Sequence, residues 1–384
     1  MDFEKLRKEF PVTEKAIFLN HAAISPSPTP VIEECQKWLI HHKSYGDLFF
    51  PNLEKILESI NEDRRIVGKF INAKFPEEEI AFTYNTSYGL AAIAESIKWE
   101  KDDKIIINNA EYTSNSYTYQ ALANKFDLQL EVLSNIDGVI PLESFNQAID
   151  ESTRLVAISH VQFSNGFRAN INELAKICHE KEVRFIVDAI QSLGAVPVDV
   201  QKQDIDYLAS GGYKWLLGPL GTGFIYIKRE LAELLYPSFV GSMSDANPLD
   251  LSHHVYIPGR GAKRFQASLG PHTHLIARAV KYLNDLGIDK IYQQIMKLTD
   301  LIIEIVRNEK IFQLNTPIET KEQRSGIVSF SCPNGEKIVS QLRKLSFPIA
   351  VSYREGGIRL SPHCYNTIEE IQLCLETIKA LSSK

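Results

Sequence analysis

From residue 104 onward, short apolar runs alternate with stretches in which apolar residues recur every three or four positions. Residues 104–107, 154–158, 184–187, 206–209 and 223–227 are apolar runs short enough for buried strands, and 128–133 alternates apolar with polar. Helical periodicity lies between them, at 114–124, after Pro141, and at 172–181 with apolar residues at 174, 177 and 178. Strands interleaved with helices predict an α/β domain: a mostly parallel sheet flanked by helices. Near residue 272 the texture changes. Helices are predicted at 272–285 and 288–308, then a strand at 326–330, a helix at 335–344, strands at 347–352 and 357–360, and a helix at 367–381. This reads as a smaller C-terminal α+β domain. The expected division is a large domain at 16–275 and a small one at 276–384 that also takes up the N-terminal segment 1–15. The Pro/Ser-rich stretch 25–30 reads as a rigid surface loop.

Composition narrows the function. A chain of 384 residues accommodates two domains at about 150 residues each. Hydrophobic residues at 44% and charged residues at 23% are ordinary for a globular protein. The formal net charge of −6 argues against nucleic acid as the main partner. No apolar run approaches the roughly 18 residues of a membrane span. The first residues show no basic-then-apolar signal pattern. Five scattered cysteines suit a reducing cytoplasm better than a disulfide framework. The expected location is therefore cytoplasmic.

Ligands of open α/β sheets bind beyond the carboxyl ends of the strands. The residues there are chemically useful. Glu111 and Tyr112 follow 104–107, Ser159 and His160 follow 154–158, and Asp188 to Gln191 follow 184–187. Lys214 lies in a Gly-containing turn after 206–209, and Thr86 and Ser87 open an apolar helical stretch. Alone, each has a plain structural reading: a solvated lysine, a helix-capping aspartate, a core histidine, an N-cap. The run 218–223 (GPLGTG) precedes a strand instead of following one, which argues against a nucleotide loop. His272 and His274 have no further ligand nearby in sequence, so no metal site is expected. Together, however, a turn lysine, an acid after a neighbouring strand, hydroxyls at a helix start and an aromatic ring match the needs of pyridoxal phosphate.

The stretch 188–191 (DAIQ), followed by 210–223 (SGGYKWLLGPLGTG), resembles the class V aminotransferase family of pyridoxal-phosphate enzymes. That family includes cysteine desulfurases, kynureninase, isopenicillin N epimerase-like proteins and several transaminases. Residues 18–23 (FLNHAA), 264–268 (RFQAS) and 358–367 (IRLSPHCYNT) are similar to further family motifs in the same order. The resemblance implies the fold type I architecture of pyridoxal-phosphate-dependent transferases and a homodimer with shared active sites. It implies that Lys214 forms the Schiff base and moves protons at the substrate α-carbon. Asp188 pairs with the ring nitrogen, Gln191 reaches the phenolic oxygen, and Ile190 and Tyr112 cover the two ring faces. His160 hydrogen-bonds to Asp188 from behind. Thr86, Ser87 and Tyr213 bind the phosphate, with Ser268 as a contact to the partner's cofactor. Arg359 pairs with the substrate carboxylate.

The chain departs from the family pattern at three places. Phe163 stands where desulfurases have asparagine, Ser268 and Leu269 stand for a Gly-Thr pair, and 352–357 (SYREGG) carries no cysteine where desulfurases have their nucleophile. Cys364 is the nearest thiol in sequence, and its plain reading is a small hydrophobe at a helix start. The expected activity is therefore an aminotransferase acting on a small amino acid. A C–S lyase or desulfurase and an amino-acid epimerase are the alternatives, and a non-catalytic protein of the same fold is the reading from another class.

Overall fold

The computed structural model describes residues 2–45, 53–250, 252 and 254–383. In chain order the strands are β1 (Ile17–Phe18), β2 (Ile80–Thr83), β3 (Lys104–Asn108), β4 (Gln129–Leu133), β5 (Thr153–Ser159), β6 (Arg184–Asp188), β7 (Tyr207–Gly211), β8 (Gly223–Ile227), β9 (Gln313–Leu314), β10 (Val328–Ser331), β11 (Ile349–Ala350), β12 (Ser352–Arg354) and β13 (Gly357–Leu360). Seven of them form one sheet in the order β2-β8-β7-β6-β5-β3-β4. From β7 to β4 all neighbours are parallel, while β8 runs antiparallel to both β2 and β7.

The apolar runs are continuous because both faces of this sheet are covered. Ile106, Val156, Phe185, Val187 and Leu208 pack into one core with the helices Ile171–Glu180 and Pro271–Leu286. Their chain neighbours Ile107, Ala157, Ile186 and Ala209 face the opposite core, closed by the helices Thr86–Glu95 and Thr113–Phe126. The period of two along each strand thus feeds two separate helical layers. The α/β architecture expected from the sequence is the one observed.

A second sheet, β12-β13-β10-β9, is antiparallel throughout. The helices Ile288–Asn308, Gly335–Leu342 and Ile368–Ser382 close a core with it. The last helix opens with a capping box, Thr367 accepting from the Glu370 N–H.

Most strands lie within a few residues of their expected positions. The run expected at 347–352 divides in two, because β11 leaves the second sheet to pair in parallel with β1, Ile17 opposite Ile349. Strand β2 and the helices Thr29–Tyr45 and Leu53–Phe70 were not read from the sequence. Packing also crosses the expected domain boundaries. Ile17 and Leu19 join the second core, while Leu6, Phe10, Ile276, Val280 and Leu283 join the first.

One close approach shapes the site. Gly194 has φ of +96°, and a Cβ there would lie 2.1 Å from the Trp215 carbonyl oxygen. Only glycine lets the turn after β6 press against the turn that carries Lys214.

Candidate active site

Strand β6 ends on Asp188 and β7 ends on Gly211, side by side and parallel. Their following turns bring the acid and Lys214 to the same end of the sheet. Lys214 is buried, and no hydrogen bond or ion pair holds its Nζ among the described residues. That atom lies 5.6 Å from the centre of the Tyr112 ring and 5.9 Å from that of Tyr213. Burial pulls the lysine well below its ordinary value; Asp188 opposes this, while the Arg359 and Arg354 guanidinium groups add to it. Burial pushes the Asp188 carboxyl upward, with the Ile190 N–H working against it and Glu111 adding to it. The Ile190 N–H donates to Asp188 Oδ1 at 2.9 Å, and Oδ2 accepts nothing among the described residues.

A cradle lies beside this pair. The Gly211 N–H donates to Thr86 Oγ1 at 2.8 Å. A Cβ on Gly211 would meet Thr86, Tyr213 and Ile190 at 3.1–3.4 Å, so three of the expected contact residues converge on one bare backbone position. The helix Thr86–Glu95 begins here, with Asn85 capping the Tyr88 N–H. The N–H groups of Thr86 and Ser87 at its start point out of the helix without acceptors, which suits an anion. Above Lys214, Tyr112 caps the next helix, and its ring meets Phe163 edge-on at 5.1 Å.

Arg359 comes from the other sheet. It is buried on β13, its Nε donates to Ser352 Oγ at 3.1 Å, and its Nη1 donates to the Phe163 carbonyl. Nη2 has no protein partner, and no carboxylate pairs with the guanidinium among the described residues. A buried, half-bonded guanidinium is an anion site in waiting.

One expectation is corrected, that for His160. The His160 ring does not reach the Asp188 carboxylate: only its backbone N–H bonds, to the Asp188 carbonyl at 3.0 Å, and its Nδ1 is orphaned. Ser159 is the residue in register with Asp188, so His160, one position on, faces the opposite side. There it lines a cavity of about 490 Å³ with Phe145, Phe167 and Leu174, and Lys214 is not in that wall. Gln191 is largely occupied. Its Oε1 accepts from Trp215 Nε1 at 2.9 Å and its Nε2 donates to the Ala22 carbonyl at 3.0 Å, leaving one N–H for a cofactor. Ser268 is exposed and lies 3.2 Å from the Tyr84 hydroxyl of the same chain.

Cys364 is fully buried beside His363, and burial pushes its thiol up to about 12, the opposite of an activated nucleophile. His272 is buried while His274 turns to Asp63, and no metal-binding cluster exists among the described residues.

Sequence reasoning gave Glu111 no role. It is buried and accepts from Asn108 at 2.6 Å, Asn115 at 2.7 Å, the Ser159 N–H at 2.8 Å, the Ser159 hydroxyl, and Gln162 at 3.1 Å. One carboxylate thus ties the ends of β3 and β5 to the helix start that carries Tyr112. Its position directly before Tyr112 was the available signal.

The profile of the family described as Aminotransferase class-V matches residues 17–374. The chain belongs to that family. A probable cysteine desulfurase of Pyrococcus abyssi is 31% identical over 99% of this chain and 98% of its own length. An uncharacterized aminotransferase, YcbU of Bacillus subtilis, is 27% identical over 98% of this chain and 97% of its own length. Among solved structures, the apo cysteine desulfurase of Thermococcus onnurineus NA1 superposes with a TM-score of 0.88 at 28% identity, covering 99% of this chain and 98% of that one. This class V protein is accordingly a pyridoxal-phosphate enzyme, and the cradle fits the cofactor. The open Asp188 oxygen suits a protonated ring nitrogen, the helix start suits a phosphate, and Lys214 suits an aldehyde. When bound, the cofactor supplies an electron sink for the pair left at the substrate α-carbon.

Because burial lowers the Lys214 pKa, its neutral amine is populated at lower pH than that of a free lysine, whose pKa is about 10.4. Apoprotein should capture pyridoxal phosphate covalently with a rate that levels off well below pH 10. Borohydride should then fix the label to the Lys214 peptide, and Lys214→Ala should take none. A label elsewhere, or a rate still climbing at pH 10, would contradict this placement.

Proposed function

We propose that this enzyme cleaves the C–S bond of a small sulfur-containing amino acid, and that sulfur leaves by elimination. The observation that carries the first half is the end-to-end likeness to a protein named probable cysteine desulfurase. This favours C–S cleavage over the aminotransferase expected from sequence. The second half follows from the thiols. Cys35, Cys178, Cys364 and Cys374 are buried and Cys332 is half-buried, and none is on the 352–357 segment. Burial raises the pKa of all five. No thiolate of this chain is positioned to accept a sulfur atom.

The residues divide the work. The free Nη2 and the remaining N–H of Nη1 on Arg359 hold the α-carboxylate, which orients the Cα–H bond for removal of its proton. Lys214 Nζ takes the α-proton. The Cβ–S bond then breaks with its electron pair going to sulfur, which leaves as a thiolate. With the cofactor bound, Asp188 would hold the ring nitrogen, Tyr112 and Ile190 would flank the ring, and Thr86, Ser87 and Tyr213 would hold the phosphate. Gln191 offers its remaining N–H to the phenolic oxygen. Water completes the products as an oxo acid and ammonia.

The enzyme is also proposed to work as a homodimer. Exposed Leu269 and Ser268 sit beside the helix start at Thr86, where a partner's segment would complete the phosphate site. Sedimentation should show a dimer at micromolar concentration, and a monomer that keeps its cofactor tightly would exclude the shared site.

With cysteine as substrate, sulfide should appear with equal pyruvate and no alanine. Cys364→Ser should keep that yield within about two-fold, since the thiol is only packing. Stoichiometric alanine, or loss of sulfide release in a folded Cys364→Ser protein, would restore a persulfide route.

Arg359→Lys removes a planar fork that lysine cannot copy. A charge-assisted contact of about 2–4 kcal/mol should be lost. That corresponds to roughly 30- to 1000-fold in kcat/KM with the cofactor spectrum intact. Kinetics like the parent enzyme would take Arg359 out of the site.

A further inference from the structure

We propose that Arg354 and the pocket beside it form a distal subsite for a second carboxylate, so that the preferred substrate is an amino acid whose side chain ends in an anionic group. The inference deepens the C–S reading and rests on Arg359 as the α-carboxylate anchor.

The geometry is that of one tight hairpin. β12 and β13 are joined by Glu355 and Gly356 alone, with φ of +46° and +81°. Two successive left-handed residues make the rigid two-residue turn that matches strand twist. Ser352 is in register with Arg359, and Arg354 with Gly357. Residues two apart on a strand share a face, as do residues in register. Arg354, Ser352 and Arg359 therefore project from the same face of the hairpin. Ser329, in register with Arg359 on the neighbouring strand β10, joins them.

The charges on that face lack partners. Among the described residues neither Arg354 nor Arg359 pairs with a carboxylate; Arg354 Nη1 bonds only to the Tyr353 carbonyl, at 2.8 Å. Burial depresses Arg359 and Lys214 most; the Arg354 guanidinium adds to it at both, and that of Arg359 adds to it at Lys214. One α-carboxylate satisfies one of the two guanidinium groups. Arg354 is exposed on the wall of the adjoining pocket, and no carboxylate among the described residues pairs with it.

The adjoining pocket, about 340 Å³, is built of donors. Asn109 and Asn315 have their Oδ1 atoms taken up, by the Asn135 N–H and the Ser331 hydroxyl, which leaves their Nδ2 groups unspent. Ser164 and Ser329 add hydroxyls, and Glu355 is the single acid in the wall among the described residues. Ser164 directly follows Phe163, whose carbonyl holds Arg359, so the pocket begins where the anchor ends. Such a wall offers little to an aliphatic side chain and much to an acceptor with negative charge.

The test uses holoenzyme and sulfur-free ligands, so that it stands apart from C–S cleavage. Titration by the change in cofactor absorption should give a Kd for L-2-aminoadipate at least about ten-fold below that for L-norleucine, which has a similar length and no second charge. Arg354→Gln should bring the ratio to within about two-fold, and Arg354→Lys should recover part of it. Equal affinity for the two ligands in the parent enzyme, binding of neither, or a preference that survives Arg354→Gln would overturn the proposal. So would an Arg354→Gln protein that weakens both ligands alike, which would mark a purely structural residue. A parallel kcat/KM comparison of S-carboxymethylcysteine with S-ethylcysteine should show the same preference. Turnover of neither, beside a positive titration, would count against C–S cleavage and leave the subsite standing.

Discussion

The site depends on keeping one amine buried with little to stabilise its charge. Lys214 sits at the carboxyl end of a sheet whose faces are both closed, so water cannot solvate an ammonium there at low cost. Two arginines nearby raise that cost, and Asp188 offsets part of it. The balance makes the neutral amine available at lower pH than in a free lysine, where an aldehyde would be captured. The same burial drives the Asp188 carboxyl upward, which makes it receptive to a shared proton from a ring nitrogen.

Holding these groups requires both sheets. Lys214 and Asp188 come from adjacent parallel strands, and Arg359 comes from the antiparallel sheet. The link between the two is partly main chain: Arg359 is tied to the Phe163 carbonyl, and Phe163 in turn packs on Tyr112. The proposed carboxylate anchor is therefore mechanically coupled to the ring that stands over Lys214. Glu111 stiffens the same region from beneath. With five donors on one buried carboxylate, its cost of desolvation is met by hydrogen bonds.

A second brace runs through Trp215. Its indole N–H donates to Gln191, whose amide donates to the Ala22 carbonyl, while Gly194 packs on the Trp215 backbone. His363 Nε2 donates to the Trp215 carbonyl, and His21 bridges Ser361 and Tyr365. Burial pulls both histidines below their ordinary range, so this brace is uncharged near neutrality. The N-terminal segment is bound to the lysine turn by neutral contacts that salt does not screen.

The sequence by itself determined the sheet-and-helix order and the chemical inventory. Strand runs such as 184–187 end on Asp188 because a buried strand is apolar until it reaches the functional edge, and that transition is local. It did not determine where side chains face once strands are in register. His160 turned from Asp188 to the far cavity, because the β5–β6 register pairs Ser159 with Asp188. Gln191 became a link to Trp215 and Ala22, partners that lie 24 and 169 positions away. The division of 347–352 and the burial of Cys364 likewise follow from contacts with β1 and the first core. Arg354 and Arg359 share a face only through the β12–β13 pairing. Each of these outcomes depends on which distant backbone supplies the neighbour, and local periodicity carries no record of that choice.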